Sequence, residues 1–341
     1  MPEADLHLDT ETAGREQTVA VAPPPPAHAR AIRRRTRLAR GPLPIGEPAA
    51  AVDARLAAAE PYRPDTVADG GDAFGLTVRA ASVRGLYKRH LGGPRQDDLC
   101  LRPHPPTRSL IAAVADGVSA AARSDLAAAL AVRHAAASVD RQLERGAVDV
   151  DWPEVFHHAA WALVEEQRRS DGDAHAGVAE TAASLATTLT VAVISPADQS
   201  GSEAQDEAGE ASRSDPARFR VQVAAVGDSP VYVLLEGRFK SVLEDAPSAD
   251  GLIGGGTWAL PRHAGAVDHT TCMLEAGSTL LICSDGLALP LADGAGDVGR
   301  TLTRELADPP DIVDFARLLD FSRATYDDDR TLIAVWPGRQ R

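Results

Sequence analysis

Five aspartates hold positions from which carboxylates can do chemistry. Asp116 follows the apolar run 110–115, Asp228 follows 219–226 and Gly227, and Asp285 follows 279–283 and Ser284. Asp97 stands just before the apolar stretch 99–101, and Asp328 just before 331–336. Each run reads as a strand, and a strand end is a rigid mount with an exposed carbonyl. Asp116, Asp228 and Asp285 also have a glycine neighbour. Oxygen ligands gathered on such mounts suit Mg2+ or Mn2+, not zinc. Without a cation, like charges brought to one rim would repel. Any one of these aspartates taken singly reads better as a structural turn residue than as a catalytic one. The tetrapeptide Val67-Ala68-Asp69-Gly70 repeats Val114-Ala115-Asp116-Gly117 but follows Arg63-Pro64 and no apolar run, so it is read as a decoy.

The elements that must position these side chains can be traced along the 341 residues. With 44% hydrophobic and 25% charged residues the composition is that of a globular protein, and with 4% aromatics its core must be built from Ala, Val, Leu and Ile. The net charge of −14 speaks against nucleic acid as a partner. The three cysteines, Cys100, Cys272 and Cys283, are too scattered for a disulfide framework. No stretch reads as a membrane span, the first residues lack an apolar signal core, and the expected location is cytoplasmic.

Residues 1–75, with the run Pro23 to Pro26 and the cluster Arg30, Arg33, Arg34, Arg35, Arg37 and Arg40, are expected to be a disordered tail. A folded domain is expected over 76–338, interrupted by a disordered insertion at 195–218 that is rich in Ser, Glu, Asp and Gly. Strands are predicted over 76–83, 110–115, 187–194, 219–226, 231–236, 238–243, 279–283 and 331–336. Helices are predicted over 125–145, capped by Ser124 or Asp125, over 151–169, opened by Asp151, and over 311–324. Strands in batches with helix pairs between them indicate an α+β fold with antiparallel sheets.

Taken in order, six segments resemble the metal-dependent protein phosphatase family, type 2C. They are Arg95-Gln96-Asp97-Asp98, Val114-Ala115-Asp116-Gly117, Ala186-Thr187-Thr188-Leu189, Val226-Gly227-Asp228-Ser229, Cys283-Ser284-Asp285-Gly286-Leu287 and Asp327-Asp328-Asp329-Arg330-Thr331. The resemblance implies a four-layer αββα sandwich, two antiparallel sheets flanked by helix pairs, with a dinuclear Mn2+ or Mg2+ centre in a cleft at one end. It implies metal ligation by Asp97, Asp116, the Gly117 carbonyl, Asp285 and Asp328, with Asp228 helping to hold a third ion found in many members. Asp116 and Asp285 would be the catalytic core of the set. The implied activity is hydrolysis of phosphoserine or phosphothreonine on proteins by a water bridging two cations. The implied partners are a phosphoprotein substrate and an opposing serine/threonine kinase.

The chain departs from the family pattern at several points. Arg95 replaces the usual Asn and is read either as a grip on the substrate phosphate or as a surface neutraliser of local acid. Asp98 competes with Asp97 as ligand, the register of the other motifs favouring Asp97. Val118-Ser119-Ala120 replaces a glycine-containing loop, and Pro230 an Arg. No histidine is nominated as the leaving-group acid. Trp258, in the segment where the family has a mobile flap, is read either as packing against the substrate chain or, in preference, as a core residue. Two alternatives to an active protein phosphatase follow: a catalytically weak or inactive pseudo-phosphatase acting as an interaction module, and a phosphohydrolase for small esters.

Overall fold

The computed structural model describes residues 41–57, 62–197, 218–243, 258–291 and 294–338. The basic cluster at 30–40 and nearly all of the expected insertion lie outside these residues. The strands are β1 Leu43–Pro44, β2 Thr66–Ala73, β3 Leu76–Val83, β4 Asp98–His104, β5 Ser109–Ala115, β6 Leu189–Pro196, β7 Arg218–Val226, β8 Val231–Leu235, β9 Arg238–Ser241, β10 Asp268–Glu275, β11 Thr279–Cys283, β12 Phe321–Ser322 and β13 Arg330–Pro337. The helices are α1 Leu86–Leu91, α2 Ser124–Glu144, α3 Trp152–Asp171, α4 Val178–Ser184, α5 Asp285–Leu291, α6 Asp297–Glu305 and α7 Ile312–Leu319.

Two antiparallel sheets carry the fold. One has the order β10-β7-β6-β5-β4 and the other β2-β3-β13-β11-β8-β9. The fold class is therefore the α+β expected. Three apolar clusters show how the elements stack. Ala80 of β3, Val114 of β5, Val223 of β7 and Ile333 of β13 share one cluster, which joins residues of the two sheets. Ile111 and Val191 face the other way, into a cluster with Ala128 and Ala135 of α2 and Phe156 and Leu163 of α3. Leu281 and Leu332 join Leu287, Leu302 and Phe315 of α5, α6 and α7. Because β5 is buried at every position, its sequence is a continuous apolar run with no alternation. Alanines on the buried face of α2 let a helix poor in aromatics pack closely on the sheet.

Several expectations need correction. The folded part does not begin at 76, since β2 pairs along its whole length with β3 and Leu43–Pro44 runs parallel to β12. The decoy tetrapeptide lies in β2, an edge strand with mostly exposed residues, where the Asp69 carboxylate accepts from Gly70 N at 2.7 Å. Exposed edge strands of this kind carry polar and glycine residues, and they leave no apolar run to find. The helix predicted over 311–324 stops at Leu319. The following chain is drawn into β12, and the Arg330 guanidinium, 3.8 Å from the Phe321 ring centroid, donates to the carbonyls of Leu319 and Phe321 at 3.1 and 2.9 Å. Ser124 opens α2 from inside its first turn and caps nothing. Asp151 does cap α3, accepting from Glu154 N at 3.1 Å.

Candidate metal centre

Asp97, Asp116, Asp285 and Asp328 come from four separate stretches of chain and share one electrostatic field. Asp116 directly follows β5, Asp97 immediately precedes β4, Asp285 opens α5 directly after Ser284, and Asp328 stands two residues before β13. Burial pushes the Asp116 carboxyl well above the ordinary carboxylate range, and Asp97, Asp285 and Asp328 push it further. Burial likewise raises Asp97, to about 8, with Asp329 and Asp285 adding to it against the hydrogen bonds from Ser284 and Thr331. Asp285 is raised by burial first and then by Asp328 and Asp228, although a hydrogen bond shared with Asp116 and the charge of Lys88 oppose this. Asp285 keeps an exposed surface, and its amide N lies 3.4 Å from Asp116 Oδ2. Asp228 is exposed on the loop after β7.

The backbone around these carboxylates is close-packed, which explains two of the glycines. A Cβ on Gly117 would sit 2.7 Å from both the Gln96 and the Ser124 carbonyl oxygens, and one on Gly286 would sit 2.0 Å from the Asp329 carbonyl oxygen. Only glycine lets these strand ends cross. The Thr187-Thr188 pair locks Asp116 from the other side. Thr188 Oγ1 accepts from Asp116 N at 3.1 Å, while Thr188 N and Thr187 Oγ1 donate to Asp116 O at 2.8 and 2.9 Å.

The two paired-aspartate motifs divide their labour. Asp97 is 2% exposed and accepts from Thr331 Oγ1 at 2.7 Å. Asp98 is tied instead to Arg63 at 3.1 Å and faces Arg95 at 3.8 Å, so its charge is already met. The same division recurs at the last motif. Asp329 is buried and accepts from Gly85 N at 2.7 Å and Gln96 N at 2.6 Å, while Asp328 is exposed and lies 3.6 Å from Lys88. Asp98 and Asp329 therefore brace the backbone, and their neighbours Asp97 and Asp328 belong to the acid cluster.

Arg95 does not reach a substrate. It is 2% exposed, donates to Ser82 Oγ at 2.7 Å and to the Asp97 carbonyl, and is an internal brace. A guanidinium in the middle of a strand-entry motif gives no sign in sequence of which way it points. The cation that does face the carboxylates is Lys88, on α1, which sequence reading passed over. Its ammonium donates to Gln96 Oε1 and lies 3.5 Å from Ser119 Oγ, besides its contact with Asp328. The spacing of Lys88 before Arg95-Gln96-Asp97 was the available signal, obscured by the Gly92-Gly93-Pro94 interruption. Trp258 is half-buried with its indole Nε1 enclosed, and its ring packs 4.7 Å from that of His263.

The residues fit hard divalent cations by donor chemistry: several carboxylates, most of them raised by burial and mutual repulsion, with one lysine for relief. Among the described residues no three His, Cys, Asp or Glu side chains are gathered closely enough to hold an ion as they stand. The fit rests on donor type and shared field, not on a finished cage. Also among the described residues, no helix is long and apolar enough to cross a membrane.

The fold is an α+β domain with an acid cluster at the strand ends, and comparison with known proteins shows what it resembles. Residues 84–203 match the family model of protein phosphatase 2C, and the resemblance to the metal-dependent type 2C protein phosphatases is thereby shown. The solved structure of a phosphatase from a pathogenic strain of Toxoplasma gondii is similar in fold, with a TM-score of 0.51 at 16% identity, covering 81% of this chain and 96% of that one. The S. agalactiae serine/threonine phosphatase gives 0.48 at 16% identity, covering 76% of this chain and 99% of that one. The catalytic domain of the serine/threonine phosphatase PstP, described in complex with two manganese ions, gives 0.44 at 20% identity, covering 76% and 97%. No curated protein matches the chain.

Proposed function

We propose that this chain is a Mn2+- or Mg2+-dependent serine/threonine protein phosphatase. The observation that carries the reading is the convergence of Asp97, Asp116, Asp285 and Asp328 in one field, with Asp97 and Asp116 inside the family-matched residues 84–203. Asp97, Asp116, Asp285 and Asp328, with the Gly117 carbonyl, would hold two ions, and Asp228 would help with a third. Bound there, such ions supply Lewis acidity toward phosphoryl oxygens and an activated water.

The chain's own residues do the rest. Asp116 and Asp285 share a hydrogen bond, so loading the site must displace a proton from the pair. Thr187, Thr188 and Gly117 fix the main chain of Asp116, and Thr331 fixes Asp97, so these carboxylates cannot swing away under load. Lys88 stands at the cluster's edge as a positive group for the phosphate of the substrate. An opposing serine/threonine kinase would supply that substrate, and the cytoplasm is the expected compartment.

A manganese titration of turnover, with a phosphothreonine peptide beside p-nitrophenyl phosphate, tests the reading. Metal-dependent turnover of the peptide well above the small ester supports it. Preference for the ester points to a small-ester phosphohydrolase. An absence of both turnover and bound ion leaves a pseudo-phosphatase acting as an interaction module.

A further inference from the structure

Upstream of the family-matched segment, residues 62–65 form a strap that reaches the entrances of β4 and α2 through Arg63. Arg63 lies in this strap with its side chain 8% exposed. Its Nη1 donates to Asp98 Oδ2 at 3.1 Å, its Nε to Asp125 Oδ2 at 3.3 Å and its Nη2 to the Asp125 carbonyl at 2.9 Å. One guanidinium therefore ties the first residue of β4 to the first turn of α2. These two elements enter beside the crossing at Gly117, where the Gln96 and Ser124 carbonyls close on the glycine from both sides. Gln96 precedes Asp97, Gly117 follows Asp116, and Ser124 precedes Asp125. The fork of Arg63 thus spans the junction from which Asp97 and Asp116 both project.

The strap has anchors that do not involve Arg63. Arg84 N donates to the Asp65 carbonyl at 2.9 Å, and Arg84 Nε and Arg89 Nη2 reach the Asp65 carboxylate at 2.9 and 2.7 Å. Removing the Arg63 guanidinium would release the clamp and leave the strap in place. Asp98 would then keep the Leu99 amide, at 2.9 Å, and the more distant Arg95, at 3.8 Å, and an under-compensated buried carboxylate next to Asp97 pulls that strand end out of place.

We propose that Arg63 is a positioning residue for the metal centre, holding the entrances of β4 and α2 at the spacing that Asp97 and Asp116 need. The inference rests on the metal-dependent phosphatase reading. It is specific to the fork geometry, because an ammonium cannot bridge two sites in this way.

The test uses the full chain and its Arg63→Met and Arg63→Lys variants. The readouts are Mn2+ affinity by titration calorimetry, kcat and KM for p-nitrophenyl phosphate, and urea unfolding in chelator. Both variants should bind Mn2+ about tenfold more weakly, the scale of losing an outer support of a metal ligand. Both should lose kcat with KM changed less than about twofold, and both should unfold cooperatively. Wild-type Mn2+ affinity in Arg63→Met, with only the unfolding midpoint lowered, overturns the clamp. If Arg63→Met does not unfold cooperatively, Asp125→Asn removes one arm of the bridge and must weaken Mn2+ binding in the same direction; unchanged affinity there overturns the clamp as well. A wild-type chain that binds no Mn2+ withdraws the parent reading and the clamp with it, whereas equal binding by wild type and Arg63→Met removes the clamp alone.

Discussion

Asp97→Asn should stabilise the metal-free protein while abolishing its use of metal. The Asp97 carboxyl is 2% exposed and its pKa is raised from 3.8 to about 8, burial being the largest cause, followed by the charge of Asp329. A carboxyl whose folded value lies above its unfolded one favours the folded state fully below pH 3.8. That contribution drains away as pH rises through about 8. At about 1.4 kcal/mol per unit, the interval from pH 5 to pH 7.5 is worth at most about 3 kcal/mol for an isolated group. Asp116, Asp285 and Asp329 share the proton load, so about 1–3 kcal/mol is expected for this one member. Asparagine keeps an oxygen that can accept from Thr331 Oγ1, so the substitution removes charge more than it removes structure. The assay is urea unfolding in chelator at the two pH values. The advantage of Asp97→Asn over wild type should grow from pH 5 to pH 7.5 by that amount, and added Mn2+ should stabilise wild type alone. A variant destabilised equally at both pH values, or stabilised by Mn2+ as wild type is, would refute the claim that Asp97 is a strained acid awaiting a cation.

Other perturbations follow from the same geometry. Gly286→Ala places a Cβ 2.0 Å from the Asp329 carbonyl oxygen and should cost about 3 kcal/mol in chemical denaturation, with activity lost. Lys88→Met should lower kcat/KM at least about tenfold, the cost of one charge-assisted hydrogen bond, while Mn2+ affinity measured by calorimetry does not fall. The Asp65 carboxyl, although burial would raise it, is held below its ordinary 3.8 by hydrogen bonding to Arg89 and by the charges of Arg89 and Arg84. Its contribution is present above that value and fades as pH falls through the lowered one. Asp65→Asn should therefore be less stable than wild type at pH 6, and the gap should close below pH 3.8 in acid unfolding curves.

The parts of the molecule readable from sequence were those set by local physics. The apolar run before Asp116 and the one before Ser284 emerge as β5 and β11 because strands with both faces covered need no alternation. The Asp151 cap with Pro153 close behind fixes the start of α3. Elements defined by partners far along the chain were hidden. β2 owes its extended form to pairing with β3, and β12 to pairing with Leu43–Pro44, while Thr66–Ala73 and Phe321–Ser322 carry little strand signal of their own. At the site, residue type and order identified the aspartates but could not tell which member of each pair faces inward. The arginines decide that at Asp97-Asp98, since Arg63 and Arg95 claim Asp98. Amides of Gly85 and Gln96 decide it at Asp328-Asp329 by claiming Asp329. Lys88 and Arg95 were not separable in sequence for a related reason: α1 carries Lys88 to the carboxylates, while Arg95 turns into the protein beneath Asp97.

The central claim is that these distant acids jointly take up divalent cations. Its most direct test is anomalous diffraction from crystals soaked in manganese. Peaks in contact with Asp97, Asp116 and Asp285, absent from an Asp116→Asn crystal soaked in parallel, are the predicted result. Carboxylates that stay apart with no anomalous density between them at saturating manganese would contradict it.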